Sequence, residues 1–160
     1  RVSGLDRLLP KWDRAMAHRA GAEPGRIGRV LLLYGASPPA ALGPGSYHAQ
    51  ILERLGATPA VAQGAPFMPM DAEDVLRLAP DAIVVIQPRE PHMPPFPTPL
   101  DASTLAPILG TLARLDIPAV RRGRVALIDD PMALIPGSNL IEFADRLGEV
   151  LMHWHSGSPR

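Results

Sequence analysis

The sequence contains no cysteine, which excludes disulfide bonds, thiol catalysis and thiolate metal sites. Its 16 basic and 16 acidic residues cancel and are interspersed, so no basic surface for nucleic acid or an anionic membrane is expected. The longest apolar runs, such as Ala82 to Ile86, are far too short to span a bilayer. What remains is a chain of 160 residues, which is the length of one domain with a real core.

No signal peptide is recognisable, and the chain starts at Arg1 without an initiator methionine. Because upstream residues can have been removed, the missing signal is weak evidence for a cytoplasmic location.

Prolines and glycines are abundant, at 20 and 14, and they mark the boundaries of the predicted elements. Short apolar runs predict three buried strands, at 30–33, 82–86 and 124–128. Apolar spacing and capping residues predict helices at about 5–20, 45–55, 71–79, 101–115 and 138–154, with a short extended piece at 58–62. This alternation predicts a Rossmann-like three-layer α/β domain with a mainly parallel sheet.

The predicted organisation has three parts: a connecting helix over residues 1–22, the α/β domain over 27–153, and a tail over 154–160. Within the domain, the proline-rich segment 87–99 is expected to form a stiff, extended wall.

Residues 30 to 55 are the most informative stretch, since their pattern predicts a strand, then a loop, then a helix. Loops at the carboxyl ends of parallel strands bind ligands in α/β proteins. The Gly35 to Gly45 loop could cradle a phosphate at the helix start, but it matches neither GxGxxG nor GxxxxGK[ST]. Its residues Pro38, Pro39, Ala40 and Leu42 favour a wall for an apolar ligand instead.

The histidines do not make a metal site by spacing. His48 and His92 could face the same cleft, yet two nitrogen ligands without a carboxylate or thiol fall short of a zinc site. His153 and His155 are two residues apart at a helix end and cannot share an ion, so a solvated terminus is expected.

Catalytic groups are equally sparse. Ser37 and Ser46 lack the GxSxG elbow and have no spaced histidine and carboxylate partners. Asp129 and Asp130 follow a strand as a metal pair would, but Pro131 and the absence of a second acidic strand end favour loop capping. We therefore expect that the protein is not an enzyme and that it carries no cofactor and no metal of its own.

Three segments carry a resemblance to a known family: GASPPAALGPGSYHAQIL at 35–52, FMPMDAEDVLRLAPDAIVVI at 67–86, and IPAVRRGRVALIDDPMALIPGSNLIEFADRL at 117–147. In order and spacing they resemble the carboxyl-terminal lobe of ABC-transporter substrate-binding proteins that capture cobalamin, ferric siderophores and haem. The resemblance covers about residues 27–152, and residues 2–20 would then be the latter part of the helix that joins the two lobes of this family.

The resemblance implies a periplasmic or extracytoplasmic solute-binding lobe without catalysis. Its implied partners are a small-molecule metal chelate or corrinoid, ABC permease subunits, and an amino-terminal lobe that is missing from this chain. Two alternatives stay open: a Rossmann-like enzyme domain that binds a nucleotide at Gly35 to Ser46, and a stand-alone scaffold that has lost transport.

The resemblance also implies site residues. Parallel topology brings separate loops to one edge of the sheet, so we expect one ligand cleft lined by Ser37, Pro38, Pro39, Phe67, Gln87 and Met132. Ala40 and the Met132 to Ala133 pair stand where relatives often have aromatics, so a smaller chelate is as well favoured as a flat macrocycle. Glu73, in the first turn of an acid-started helix, is expected to be an exposed contact for permease arginines. The alternative is a capping acid that serves only its own helix.

Overall fold

The computed structural model describes residues 27–95 and 102–156. The helix predicted over residues 1–22 lies outside them. In the described part the strands are β1 Arg29–Tyr34, β2 Ala40–Leu42, β3 Thr58–Pro59, β4 Phe67–Pro69, β5 Ala82–Ile86 and β6 Val125–Ile128. The helices are α1 Tyr47–Arg54, α2 Ala72–Leu78, α3 Ala102–Leu109, α4 Pro118–Arg121 and α5 Asn139–Ser156, with a 3-10 turn at Gly110–Arg114 after α3.

One sheet orders its strands β4-β2-β1-β5-β6. Strands β1, β5 and β6 are parallel neighbours, and β3 pairs in parallel with the start of β1. Strands β2 and β4 continue the sheet by antiparallel pairing. The three predicted buried strands and the mainly parallel sheet are thus confirmed.

Helices cover both faces of this sheet. Leu32 and Val84 point into a core formed with α1 and α5, whereas Leu33 and Val85 point into a second core with α2, α3 and α4. Successive side chains of a strand point to opposite faces, so a strand covered on both faces must be apolar throughout. This explains the uninterrupted apolar runs and confirms the three-layer arrangement.

The segment after β1 was predicted wrongly as a loop that leads straight to a helix. The chain instead reverses at residues 35–39 and returns as β2, with Tyr34 opposite Ala40 and Leu33 opposite Ala41. The apolar β2 residues extend the sheet. Helix α1 then begins after Ser46, whose Oγ accepts a hydrogen bond from the Ala49 N–H at 3.1 Å.

Four other elements differ from expectation. Strand β4 replaces a predicted loop, and the extended piece at 58–62 is paired only as Thr58–Pro59. The helix predicted over 101–115 ends at Leu109, because Pro107 and Gly110 are both poor residues for an α-helix to continue through. The short α4 was not predicted.

Helix α5 continues to Ser156, past the predicted end of the domain, and buries Trp154 in the core. None of the described helices is both long and apolar enough to cross a membrane.

Helix α2 follows its prediction closely. Asp71 and Asp74 form a capping box, in which each carboxylate accepts the other residue's backbone N–H, at 2.8 and 3.2 Å. The helix starts at the carboxyl edge of the sheet, where the Met70 N–H donates to the Pro39 carbonyl. It runs back to the amino edge, where the Asp81 N–H donates to the Arg29 carbonyl.

The amino edge is organised around the Asp81 carboxylate. It accepts the Arg29 backbone N–H at 2.9 Å and pairs with the Arg122 guanidinium at 3.1 Å. Gly28 lies against this carboxylate with a φ of 86°, and a Cβ at that position would collide with it. Only glycine satisfies both conditions at residue 28.

The sequence left open that His48 and His92 face the same cleft, but His48 does not. It is buried between α1 and α5, where its Nε2–H donates to the Ala133 carbonyl at 2.8 Å and its ring meets Phe143 edge to face at 4.8 Å. Burial lowers the pKa of the His48 imidazole, and the bond to Ala133 offsets this only in part. His48 is therefore a neutral packing residue that ties α1 to the turn after β6.

We predict that Gly28→Ala lowers the free energy of unfolding by about 3 kcal/mol, from left-handed backbone strain and displacement of Asp81. Chemical denaturation measures this. Gly123→Ala is the matched control, because its φ is 62° and nothing lies within 4 Å of the added Cβ, so only about 1 kcal/mol of backbone strain is expected. Equal losses in the two variants would contradict the role of Asp81.

We also predict a pH dependence from His48. Its folded-state pKa lies below the unfolded value of 6.5, so the unfolded chain binds the extra proton first as the pH falls. Stability is therefore fully present above about pH 7 and declines as the pH drops through 6.5 towards the folded pKa. His48→Gln keeps a donor for Ala133 and does not titrate. Its unfolding free energy should fall less between pH 7 and 5, and a slope equal to that of the parent chain would refute the prediction.

Candidate functional site

A cleft of about 680 Å³ opens at the carboxyl edge of the sheet. The strands β1 and β5 end there side by side, and the β1–β2 turn forms its rim. Its lining residues are Tyr34, Gly35, Ala36, Ser37, Pro38, Pro39, Ala40, Phe67, Pro69, Gln87, Pro88, Pro107 and Ile108. None of these described lining residues is charged, so the cleft is a neutral and largely apolar surface.

Two aromatic rings form the most distinctive feature of the cleft. Tyr34 is the last residue of β1 and Phe67 the first of β4, and their ring centroids lie 6.1 Å apart at a tilt of 53°. Tyr34 is 41% exposed and Phe67 52% exposed, although both are large enough to favour burial. Exposed neighbouring rings can hold a ligand by apolar contact and stacking.

Most of the predicted site residues meet in this cleft. Ser37, Pro38, Pro39, Phe67 and Gln87 all line it, although they come from three separate segments of the chain. The structure thus places them together. Their role in binding a ligand stays a prediction.

Met132 does not line this cleft, contrary to expectation. It lies in the turn after β6, where its backbone N–H donates to the Asp130 carboxylate at 2.8 Å and its side chain is 42% exposed. Strand β6 is the edge strand beyond β5, and the next residue, Ala133, is held against α1 by His48. The turn therefore lies towards the α1 face of the sheet, whereas Pro107 and Ile108 bring the cleft towards the α3 face.

Sequence reasoning missed Tyr34, Pro107 and Ile108. Tyr34 carried a usable signal, since an aromatic that ends a buried strand just before a glycine must emerge at the carboxyl edge. Pro107 and Ile108 carried none, because their place in the cleft depends on how α3 packs across the sheet.

A second cleft of about 590 Å³ adjoins the first and shares with it four residues, Gln87, Pro88, Pro107 and Ile108. It is bounded further along by the proline segment, including Met93, Pro94 and Pro95. Unlike the first cleft it has charged residues in its lining, Arg89 and Glu90. Residues 87 and 88 are thus a partition between a neutral and a charged surface.

The described residues do not assemble a metal centre. No group of three or more His, Asp or Glu side chains in the described part could hold an ion. His92 and His153 are exposed, and Asp130 caps the turn at Met132 as the sequence favoured. Asp129 is buried and pairs with Arg89 and Arg146.

The alternative of a nucleotide-binding loop loses its geometric basis. A phosphate cradle requires a helix to start directly after the loop at the strand end. Here β2 runs back from residues 35–39 before α1 begins at Tyr47, and Ser46 already accepts one of the first free N–H groups of that helix.

Glu73 is exposed in the first turn of α2. The capping box is made by Asp71 and Asp74, so Glu73 is not part of it. Because α2 begins at the carboxyl edge, Glu73 belongs to the same end of the sheet as the cleft.

No family model and no curated protein match the sequence. Solved structures do match. The periplasmic heme-binding protein RhuT from Roseiflexus sp. RS-1 is 24% identical, with a TM-score of 0.60 over 91% of this chain and 54% of that chain. The periplasmic vitamin B12 binding protein BtuF of Vibrio cholerae is 14% identical, with a TM-score of 0.69 over 94% and 52%. An ABC-type Fe3+-hydroxamate transport system from Saccharomonospora viridis is 19% identical, with a TM-score of 0.67 over 95% and 49%.

This chain spans about half the length of each of these proteins. A half-length match with a shared α/β fold fits the single carboxyl-terminal lobe that the sequence predicted. The chain has the fold of one lobe of a periplasmic solute-binding protein.

Proposed function

We propose that this chain is the solute-binding lobe of an ABC importer for a metal chelate or corrinoid, of the iron siderophore, haem or cobalamin type. The observation that carries the proposal is the neutral cleft at the carboxyl edge, with Tyr34 and Phe67 exposed side by side. The solved structures of the same fold are named as binding proteins for heme, vitamin B12 and Fe3+-hydroxamate transport, which supports this ligand class.

The chemistry of the cleft supports a ligand that brings its metal already chelated. The lining residues include no carboxylate, imidazole or thiol to take a bare ion. They offer apolar contact, the Ser37 hydroxyl and the Gln87 amide, which suit the organic periphery of a chelate. Tyrosine phenols can ligate haem iron, and Tyr34 lines the cleft. Haem is therefore one of the candidate ligands.

In this proposal the chain works outside the cytoplasm and has no catalytic step. The cleft forms one wall of the site, and an amino-terminal lobe supplies the opposite wall. This arrangement agrees with the half-length match, and with the rule that small-molecule sites bury most of their ligand.

We predict that Phe67→Ala and Tyr34→Ala each weaken binding by about tenfold, because each removes one of two rings that contact the ligand. The chain is titrated with haemin, with cyanocobalamin and with ferrioxamine B, a ferric trihydroxamate, and binding is followed by absorbance and calorimetry. Tyr34→Phe separates stacking from iron ligation. It should leave corrinoid and hydroxamate binding unchanged and shift the haem Soret band only if the phenol ligates the iron.

Tyr47→Ala is the matched control for this experiment. Tyr47 is also an exposed aromatic, at 55%, but it does not line the cleft. Met132→Ala tests the one predicted residue that lies elsewhere, and we expect it to bind as the parent chain does. If none of the three probes binds, or if Tyr47→Ala weakens binding as much as Phe67→Ala, the proposed site is wrong.

We further propose that Glu73 docks the lobe on arginines of the permease. Three observations support this role: Glu73 is exposed, it is not part of the capping box, and it lies at the same end of the sheet as the cleft. A carboxylate in the first turn of a helix is stabilised by the helix dipole and can accept paired hydrogen bonds from an arginine.

We predict that Glu73→Arg weakens association with the cognate permease by about fivefold or more, because it places like charges opposite each other. Ligand affinity of the chain should not change. Surface plasmon resonance on the solubilised permease measures the first quantity. Glu53→Arg makes the same charge change at an exposed residue of α1 and should bind the permease as the parent does. Unaltered permease binding by Glu73→Arg removes the docking role.

A further inference from the structure

Asp129 is the residue that the proposed binding role leaves unexplained. It directly follows β6 and is only 2% exposed, yet it carries a carboxylate. Removing one charge from water is unfavourable unless partners compensate for it. Two arginines from different parts of the fold do so: Arg89 Nε lies 3.2 Å from Oδ2, and the Arg146 guanidinium of α5 lies 3.8 Å from Oδ1.

Arg89 belongs to the proline segment that walls the clefts. Its Nε is buried and lies near Asp129 without hydrogen-bond geometry, so the side-chain contact is an ion pair. Its backbone adds a second tie, since the Arg89 N–H donates to the Asp129 carbonyl at 2.9 Å. The Gln87 N–H likewise donates to the Ile128 carbonyl at 3.0 Å, so residues 87–89 prolong the pairing of β5 with β6 beyond the strands.

This attachment matters because prolines limit the backbone hydrogen bonds that residues 87–95 can donate to the sheet. Pro88, Pro91, Pro94 and Pro95 have no N–H to donate to the sheet. Gln87 and Pro88 are wall residues of both clefts, and Arg89 is a wall residue of the second. The charge pair therefore acts one residue away from the wall of the proposed site.

We propose that Asp129, held by Arg146 and acting through Arg89, positions the proline wall that residues 87–95 form beside the cleft. Asp129 and Arg146 are positioning residues, since neither lines the cleft. The consequence for ligand affinity rests on the proposed function, whereas the position of the wall does not.

The absence of cysteine gives a direct test of wall position. Met93→Cys on the wall and Glu53→Cys on α1, both exposed, are introduced together and carry nitroxide labels. Double electron–electron resonance gives the distribution of distances between the labels. We expect a narrow distribution in the labelled parent and a broader or shifted one after Arg89→Met or Asp129→Asn. Arg89→Lys keeps the charge and should restore much of the narrow distribution.

Arg121→Met is the matched control. It breaks the exposed ion pair of 2.9 Å between Arg121 at the end of α4 and Asp116, which precedes α4, and should leave the label distances unchanged. Asp129→Asn can fail to fold because its arginines lose their partner; Arg89→Met then decides, since it keeps the aliphatic stem. A label distribution that Arg89→Met leaves the same as in the parent overturns the proposal.

Binding of haemin, cyanocobalamin and ferrioxamine B by the unlabelled variants forms the second arm. Where the parent binds a probe, Arg89→Met should weaken it about threefold or more while Arg121→Met does not. A loosened wall with unchanged affinity overturns the link to binding. Failure of the parent to bind any probe counts against the proposed function, and the label distances still decide the positioning.

Discussion

Burial of β5 on both faces is the constraint on which the rest of the structure depends. All five of its residues are completely buried, and it pairs in parallel with β1 on one side and β6 on the other. Such a strand is stable only if helices cover both faces, which brings α1 and α5 to one side and α2, α3 and α4 to the other. Parallel pairing then brings the strand ends to one edge, and the cleft lies at that edge.

Charge is distributed in a way that keeps the cleft neutral. Asp81 is used at the amino edge, where it receives a backbone N–H and an arginine. Asp129 lies next to the proline wall, where Arg89 of the wall and Arg146 of α5 compensate its charge. Both carboxylates hold parts of the chain together and neither lines the first cleft, so a ligand there meets rings, prolines and a few neutral polar groups.

The proposed binding role explains why an aromatic surface remains exposed at the cleft. Tyr34 and Phe67 stay exposed, although burying them would stabilise the fold by removing apolar area from water. In a binding lobe this exposed area is what a ligand and an opposite wall would cover. The same end of the sheet carries the exposed carboxylate of Glu73, so in this proposal ligand and permease would both meet the carboxyl edge.

The sequence by itself determined the layers of the fold. Continuous apolar runs identified the three parallel strands, and the run at 82–86 matched β5 residue for residue, because burial on both faces leaves no room for a polar residue. Local capping chemistry identified the start of α2 at Asp71, since the preference for aspartate at an N-cap depends only on the first turn of the helix. The rule that parallel strands end at one edge predicted six cleft residues, and five of them line the cleft.

Only the tertiary structure decided what depends on pairing between distant segments. Strands β2 and β4 are three residues long, too short to show a period, and they exist because each pairs with a neighbour. The turn after β6 lies towards the α1 face, where the hydrogen bond from His48 holds Ala133. Met132, in the same turn, therefore lies away from the cleft. The sequence predicted Asp129 as a residue that caps a loop. Its arginine partners lie at positions 89 and 146, and no local sequence pattern links residues so far apart.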